Sequence, residues 1–275
     1  MCAVIRDLDM RTNKVIRKNR GFTLVELLVV IAIIALLLSV LIPGLQAARK
    51  QARKVVCASN LQQISMGMGL YAADFGDKAM VLREKNNDLG YWFTKLAPYM
   101  GDKNYVKDPQ RRKEGAMKVS YCPEAQKLPA GTSQQLQGDA THAWRWHYGT
   151  GAEGSYGINS WVVWDPLYPN YDKNNYYTMF NQLGSDVPLA GDCVWANGWP
   201  QDTDAAPWDV SVGAPFESAS HIGRFCINRH NMAVNISFSG GTVKLVKLRD
   251  LWSLRWHRNF KKKYNVVVPR PRIGP

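Results

Sequence analysis

A long apolar run near the N-terminus constrains the fold of this chain more than any other feature. Residues 22–45 are dominated by Leu, Val, Ile and Ala and contain a single charge, Glu26. As an α-helix these 24 residues would be about 36 Å long, enough to cross a hydrocarbon core of about 30 Å. Pro43 should bend or loosen that helix without necessarily ending it. The run therefore predicts a membrane-length helix.

Two common targeting segments do not account for this run. A signal peptide has an apolar region of about 7–15 residues followed by small residues at its cleavage site. Here the run is longer, and residues 46–48 (QAA) do not form an A-x-A pattern. An ordinary single-span anchor fits the length, but a carboxylate at mid-helix costs roughly 2.5–3.5 kcal/mol, and such an anchor offers Glu26 no compensating gain.

Proteolysis next to the apolar run would give Glu26 a partner charge that offsets its cost in the membrane. Cleavage between Gly21 and Phe22 gives Phe22 a charged α-amine one helical turn from Glu26, in the same chain or in a neighbouring one. Pairing the carboxylate with the amine offsets the cost of placing both charges in lipid. If the amine belongs to a neighbour, the pair also sets the register between stacked helices.

The residues around this junction resemble a known export signal. Residues 18–26 read KNRGFTLVE after a basic leader, which is similar to the class III signal of type IV prepilins and type II secretion pseudopilins. The resemblance implies cleavage after Gly21 by a prepilin peptidase and N-methylation of Phe22. It also implies an assembly role for Glu26 and Thr23, and Pro43 resembles the family's helix-kinking proline.

A second apolar pattern follows the first without a break. Its members are spaced 4, 3, 4, 3 and 4 residues apart, which places them on one face of an amphipathic helix: Cys57, Leu61, Ile64, Met68, Tyr71 and Phe75. Gly76-Asp77 is the expected stop. The sequence thus predicts one long helix over about 22–75, whose second half packs by one side on a globular head.

The remaining residues predict a loop-rich head with a small antiparallel sheet. Residues 91–100 resemble a short helix, 187–195 a strand, and 249–256 a short amphipathic helix. Apolar Val234, Ile236 and Phe238 alternate with Asn235 and Ser237, Ser239-Gly240-Gly241 can turn the chain, and residues 242–248 (TVKLVKL) return, which predicts a hairpin. The predicted organisation is a cleaved leader (1–21), a transmembrane helix half (22–45), a packed helix half (46–76) and a head with a basic tail (77–275). The fold class is α+β and pilin-like.

A narrower resemblance extends beyond the N-terminal signal. Residues 57–77 and the segments 121–123, 155–159 and 188–192 resemble bacterial prepilin-like proteins that carry a C-terminal H-X9-DG pattern. His230 followed by nine residues reaches Gly240-Gly241, where those proteins have Asp-Gly. The chain therefore keeps the turn glycine and lacks the acid at that position.

The net charge of +13 favours membrane contact over nucleic acid. Basic residues cluster in the leader, just after the apolar run and in the tail. Charge that flanks a membrane segment fits headgroup contact and topology better than binding to a phosphate backbone. No nucleic-acid partner is expected. The basic leader indicates that the N-terminus is cytoplasmic, and the basic residues after the run weaken that argument. The expected disulfides support a head outside the cytoplasm.

Four cysteines would remain after removal of the leader: Cys57, Cys122, Cys193 and Cys226. An even number in an exported domain predicts at least one disulfide, with three possible pairings, and four free buried thiols are the alternative. Because Cys57 lies on the packed face of the helix, a bridge that includes it would join the helix to the head.

Other candidate sites carry weaker signals. The aromatic residues between 144 and 177 fit a core better than a sugar-binding platform, for which Trp161 and Trp164 are the candidates. His230 with Asp192 is a weak metal candidate, so no metal site is predicted. Calcium in the acidic stretch 202–209 is disfavoured, since no EF-hand pattern is present. No cofactor is expected, and no catalytic motif indicates an enzyme.

These features together predict a structural subunit. It would be a single-pass protein of the bacterial inner membrane with a periplasmic head, processed by prepilin peptidase. With the inner-membrane assembly platform, it would polymerise with other pilin-like subunits into a pilus or a type II secretion pseudopilus. The alternative is a tethered binding module, with polysaccharide as a candidate ligand, that never polymerises.

Overall fold

The structure is a computed structural model that describes residues 23–82, 91–102, 104, 118–128, 136–146, 152–164, 171–215 and 218–272. The leader and the Gly21–Phe22 junction lie outside the described residues. The chain divides into two compact units, Met1–Ala48 and Arg49–Pro275.

Helix α1 (Leu24–Asp74) begins in the first unit and continues into the second. Pro43 lies inside it, and the helix continues past this residue as expected. The helix ends in a left-handed turn, since Gly76 and Asp77 have φ values of 65° and 61°. The Asp77 N–H donates to the Ala72 carbonyl over 2.7 Å, which is the 6→1 bond of a Schellman motif. The predicted single helix and its stop are confirmed.

One face of α1 is buried in the second unit. Cys57, Leu61, Ile64 and Met68 are buried as the periodicity predicts. The last turn differs, because Phe75 is half exposed and its ring stacks on Tyr71 with centroids 4.4 Å apart. Residue spacing predicts which side of the helix is apolar, but it cannot show where the head that covers this side ends.

Nine short strands lie in the described residues: β1 (Met80–Val81), β2 (Trp144–Arg145), β3 (Glu153–Gly154), β4 (Tyr156–Asn159), β5 (Val163–Trp164), β6 (Pro188–Asp192), β7 (Asn197–Gly198), β8 (Ala233–Phe238) and β9 (Val243–Lys247). The main sheet has the order β7-β4-β6-β8-β9. Its pairs are antiparallel except for β4 with β7. Strand β1 pairs in parallel with β5, and β2 pairs antiparallel with β3. The head is therefore built from small sheets, as the α+β prediction states.

The C-terminal hairpin forms in the predicted place. Strands β8 and β9 pair from Ala233 opposite Lys247 to Ser237 opposite Val243. Although apolar and polar residues alternate along β8, all six of its residues are buried. Its polar side chains face protein: the Asn235 amide donates to the Lys54 carbonyl of α1, and the Ser237 hydroxyl donates to the Ala190 carbonyl. Packing of α1 over this face explains their burial.

Short helices connect the strands. They are α2 (Trp92–Leu96), α3 (Ile222–Phe225) and 3-10 turns at Ala97–Met100, Lys118–Ser120, Ser160–Val162, Lys173–Asn175, Phe180–Gln182 and Leu248–Ser253. The helix predicted over 249–256 is thus a 3-10 turn that starts one residue earlier.

Tryptophans hold the loops of the head together. Buried indole N–H groups donate to loop backbone carbonyls, for example Trp92 to Ala196 and Trp161 to Pro200, each over 2.7 Å. Such bonds let a large apolar ring be buried without leaving its polar atom unpaired. The interpretation of the aromatic residues as core agrees with this burial.

A buried histidine predicts a pH-dependent stability of the head. The Nε2 atom of His221 lies 3.1 Å from the Tyr171 hydroxyl oxygen. Burial, aided by the charge of Arg224, lowers the pKa of His221 to about 3. In the unfolded chain its pKa is about 6.5, so below that pH the unfolded chain binds a proton that the folded chain does not. The free energy of unfolding should fall as the pH falls from about 6.5 towards about 3.

The test variant is His221→Gln, compared with the original chain. Between pH 6.5 and pH 5, the original chain should lose about 2 kcal/mol more stability than His221→Gln, measured by urea unfolding in detergent. Parallel curves for His221→Gln and the original chain would contradict the assignment.

Candidate functional site

Thr23 and Glu26 form a capping box at the start of α1. The Thr23 hydroxyl accepts a bond from the Glu26 N–H over 3.2 Å. In return, Glu26 Oε2 accepts bonds from the Thr23 N–H and hydroxyl, each over 2.8 Å. This reciprocal pattern satisfies two backbone donors that a helix N-terminus leaves free.

The capping box gives Glu26 a local role that the sequence analysis missed. The signal was present, since a Thr-x-x-Glu pattern directly precedes an apolar run. An anchor therefore does gain something from Glu26, namely a fixed helix start. This gain uses hydrogen bonding and does not require a charge, because Gln serves equally at that position.

The first unit exposes an apolar surface all along its helix. Every large apolar side chain from Leu24 to Leu45 is between 44% and 79% exposed. Glu26 is the sole charged residue between Thr23 and Ala48. By length and composition, α1 can cross a membrane. Such a surface is stable only when lipid or other apolar helices cover it.

Comparisons with known proteins agree with this geometry. Residues 16–42 match the family model "Prokaryotic N-terminal methylation motif". Residues 46–120 match "Protein of unknown function (DUF1559)". The chain is 50% identical over 58 residues to the "Type IV wide pilus major component PilA4" of Thermus thermophilus. The N-terminal part of this chain is therefore similar to prepilins.

The similarity to the pilus component is partial. It covers 21% of this chain and 44% of the relative, so the chain spans less than half the length of the protein it matches. No solved structure matches this chain.

The four cysteines in the described residues do not form the expected bridges. Cys57, Cys122, Cys193 and Cys226 are buried free thiols in the structure. Burial raises the pKa of Cys193 and Cys226 to about 12 each. Counting cysteines cannot tell a disulfide from other roles, and two of these thiols lie in a group with polar partners.

That group, called here the buried cluster, consists of Cys57, Cys122, Asp192 and His230. The Cys122 N–H donates to the Ser155 hydroxyl, and the Asn235 N–H donates to Asp192 Oδ2 over 2.8 Å. His230 is held at a tight turn in which the next two residues, 231 and 232, have φ values of 59° and 57°. These four side chains are the described residues best placed to hold a metal ion.

Electrostatics in the buried cluster favour the charged forms of His230, Cys122 and Asp192, whereas burial and the neighbouring Cys122 and Asp192 raise the pKa of the Cys57 thiol. Burial alone would lower the pKa of His230, but its bonds to Asp192 and Cys122 raise it to about 10. Burial likewise opposes the Cys122 thiolate, yet bonds from Cys57 and His230 lower its pKa to about 7. Arg229 lies 3.5 Å from Asp192 Oδ1, with both side chains fully buried.

Gly240 lies away from His230. Its N–H donates to the Ser185 carbonyl, and a Cβ at this position would come within 2.9 Å of the Ser185 Cβ. The acid that bonds His230 in this chain is Asp192, 3.2 Å away. The missing acid at position 240 therefore leaves His230 with other partners, because Asp192, Cys57 and Cys122 supply donor atoms around it.

The remaining predicted sites serve the core. Trp161 is fully buried and offers no ring face to a sugar, while Trp164 is partly buried and packs edge-on against Tyr176. In the acidic stretch, Asp204 Oδ2 accepts bonds from the backbone of Gln201 and Ile222. Burial raises the pKa of Asp204 to about 6.

Proposed function

We propose that this chain is a filament subunit, cleaved after Gly21, N-methylated at Phe22 and assembled through α1 into a filament of the type IV pilus class. The observation that carries the proposal is the exposed apolar surface between Leu24 and Leu45, interrupted by Glu26 alone. In the membrane, lipid covers that surface. In a filament, the same surface packs against the helices of other subunits.

Glu26 adds the specificity that an apolar surface lacks. Apolar helices can slide past one another at little cost, whereas a buried charge pair fixes a single register. A freshly cleaved Phe22 amine is the partner that the sequence itself provides. The match to the methylation motif and the similarity to a pilus component support this reading.

The proposal places the protein in the bacterial inner membrane before assembly, with the head on the extracytoplasmic side. Its partners are prepilin peptidase, the assembly platform, membrane lipid and other pilin-like subunits. A secretion pseudopilus uses the same kind of helix packing. We favour a pilus because the similar protein is named as a pilus component.

Intact-mass spectrometry of the native chain tests the processing step. We expect a chain that lacks residues 1–21 and carries one methyl group on the Phe22 amine. Gly21→Leu should leave the leader in place, because the bulky side chain occupies the cleavage position. A native chain that starts at Met1, or at a position beyond Ala47, would overturn the proposal.

A further inference from the structure

The buried cluster takes no part in the proposed filament packing, and its members come from four separate elements. Cys57 lies on α1, and Cys122 lies just after the 3-10 turn Lys118–Ser120. Asp192 ends β6, and His230 precedes β8. All four side chains are almost completely buried. The fold therefore brings four potential metal ligands to one point between α1 and the sheet.

The His230 Nε2 atom has more polar neighbours in the buried cluster than hydrogen bonding can serve. His230 Nε2 lies 3.3 Å from Cys57 Sγ, 3.4 Å from Cys122 Sγ and 3.2 Å from Asp192 Oδ2. One imidazole nitrogen carries at most one proton and cannot serve three partners at once. The four donor atoms all lie within 4.8 Å of one another. Ligand atoms around a metal ion crowd together in this way.

The spacing also fits a particular coordination geometry. Zinc binds sulfur at about 2.3 Å and nitrogen or oxygen at about 2.0–2.2 Å, so the edges of a zinc tetrahedron are about 3.3–3.8 Å long. With Asp192 Oδ2 as the carboxylate ligand, Cys57 Sγ lies 3.6 Å from it, and the three distances from His230 are 3.2–3.4 Å. These four of the six edges lie close to tetrahedral values.

The charge balance of the buried cluster also favours a bound divalent cation. Two thiolates and a carboxylate around a divalent cation leave one net negative charge. The guanidinium of Arg229, 3.5 Å from Asp192, neutralises that charge. Arg229 is itself fixed by bonds to the carbonyls of Ser155 and Asp139, each over 2.6 Å. A buried site without net charge avoids the large cost of an unpaired charge in the interior.

We propose that Cys57, Cys122, Asp192 and His230 bind one zinc ion as a structural site that fastens the second half of α1 to the sheet. Two thiolates and an imidazole suit zinc better than magnesium or calcium, which prefer oxygen ligands. Four protein ligands in a buried position leave no open site for substrate, so the ion acts in folding and not in catalysis.

A disulfide between Cys57 and Cys122 is the competing chemistry. It would form by loss of two electrons to an oxidant, as exported proteins commonly allow. It would consume both thiolates and leave His230 and Asp192 as an ion pair. Zinc and disulfide are mutually exclusive at this pair of sulfurs, so one experiment separates them.

The test uses the full chain purified in detergent without reductant or chelator, incubated with zinc and then dialysed. Elemental analysis should find about one zinc ion per chain. Cys122→Ser and His230→Ala should reduce the zinc content at least about tenfold. Cys193→Ser and Cys226→Ser are the matched controls, since each removes a buried thiol outside the buried cluster, and both should keep the zinc.

Cobalt substitution in the unaltered chain gives a second readout that needs no variant to fold. Cobalt should produce thiolate-to-metal charge-transfer bands, and added zinc should remove them. Absence of bound metal, metal without those bands, or zinc retained by both ligand variants would each overturn the proposal. So would a Cys57–Cys122-linked peptide in an unreduced digest of the native chain.

Discussion

Glu26→Gln is expected to abolish filament incorporation while leaving cleavage at Gly21 intact. Removing one member of a buried charge pair costs about 3–5 kcal/mol, because the other charge is left uncompensated. Incorporation relative to the original chain should therefore fall roughly a hundredfold or more. The measurement is the fraction of processed subunit in sheared filaments, by immunoblot against the membrane fraction.

The capping box supplies a control that separates charge from helix capping. Gln at position 26 can still accept the Thr23 N–H bond, so Glu26→Gln removes the charge and keeps the cap. Thr23→Ala keeps the charge of Glu26 and removes the Thr23 side chain from the cap. Loss of a cap side chain costs about 1 kcal/mol. Thr23→Ala should lower incorporation by no more than roughly tenfold. Equal defects in the two variants would show that Glu26 acts as a cap and not as a register charge.

Trp161→Ala should produce the largest loss of head stability. Trp161 is fully buried, and its indole N–H donates to the Pro200 carbonyl over 2.7 Å. Truncating a buried Trp to Ala costs about 3–5 kcal/mol, and the abandoned carbonyl adds to that cost. For a unit of this size, the melting temperature should drop by roughly 10 °C or more. Thermal unfolding in detergent, followed by tryptophan fluorescence, measures it.

Trp208→Ala is the matched control for this effect. The Trp208 side chain is 56% exposed, and Arg272 lies 4.9 Å above its ring. An exposed cation–π contact contributes about 0.5–1 kcal/mol, so the melting temperature should change by only a few degrees. Similar losses for both variants would contradict the assignment of Trp161 to the core. A role in sugar binding would instead leave the stability of Trp161→Ala unchanged.

The aromatic residues and cysteines mark the limit of prediction from composition. Tyrosine and tryptophan occur both in cores and on binding surfaces. The surrounding loops decide whether a given aromatic side chain is buried or exposed. Cys57 and Cys122 are 65 residues apart along the chain, and no spacing rule links them to Asp192 and His230. The turn before β8 and the end of β6 bring the four together, and both depend on long-range strand pairing.

By contrast, local patterns were enough for α1 and the hairpin. Helix periodicity, the glycine stop and the alternation around Ser239-Gly240-Gly241 act within a few residues of one another. Those signals located α1 to within about one turn at its C-terminal end and located the pairing of β8 with β9. The same local rules do not reveal the burial of the outer face of β8, where a distant segment of α1 excludes water.

The amino-acid sequence alone determined the long helix, its lone acid and the resemblance to prepilins, because these depend on neighbouring residues and on the length of one apolar run. The tertiary structure decided which aromatic residues form the core, what shields β8 and which side chains surround His230. Those outcomes depend on contacts between residues far apart in the chain, whose geometry no local pattern encodes.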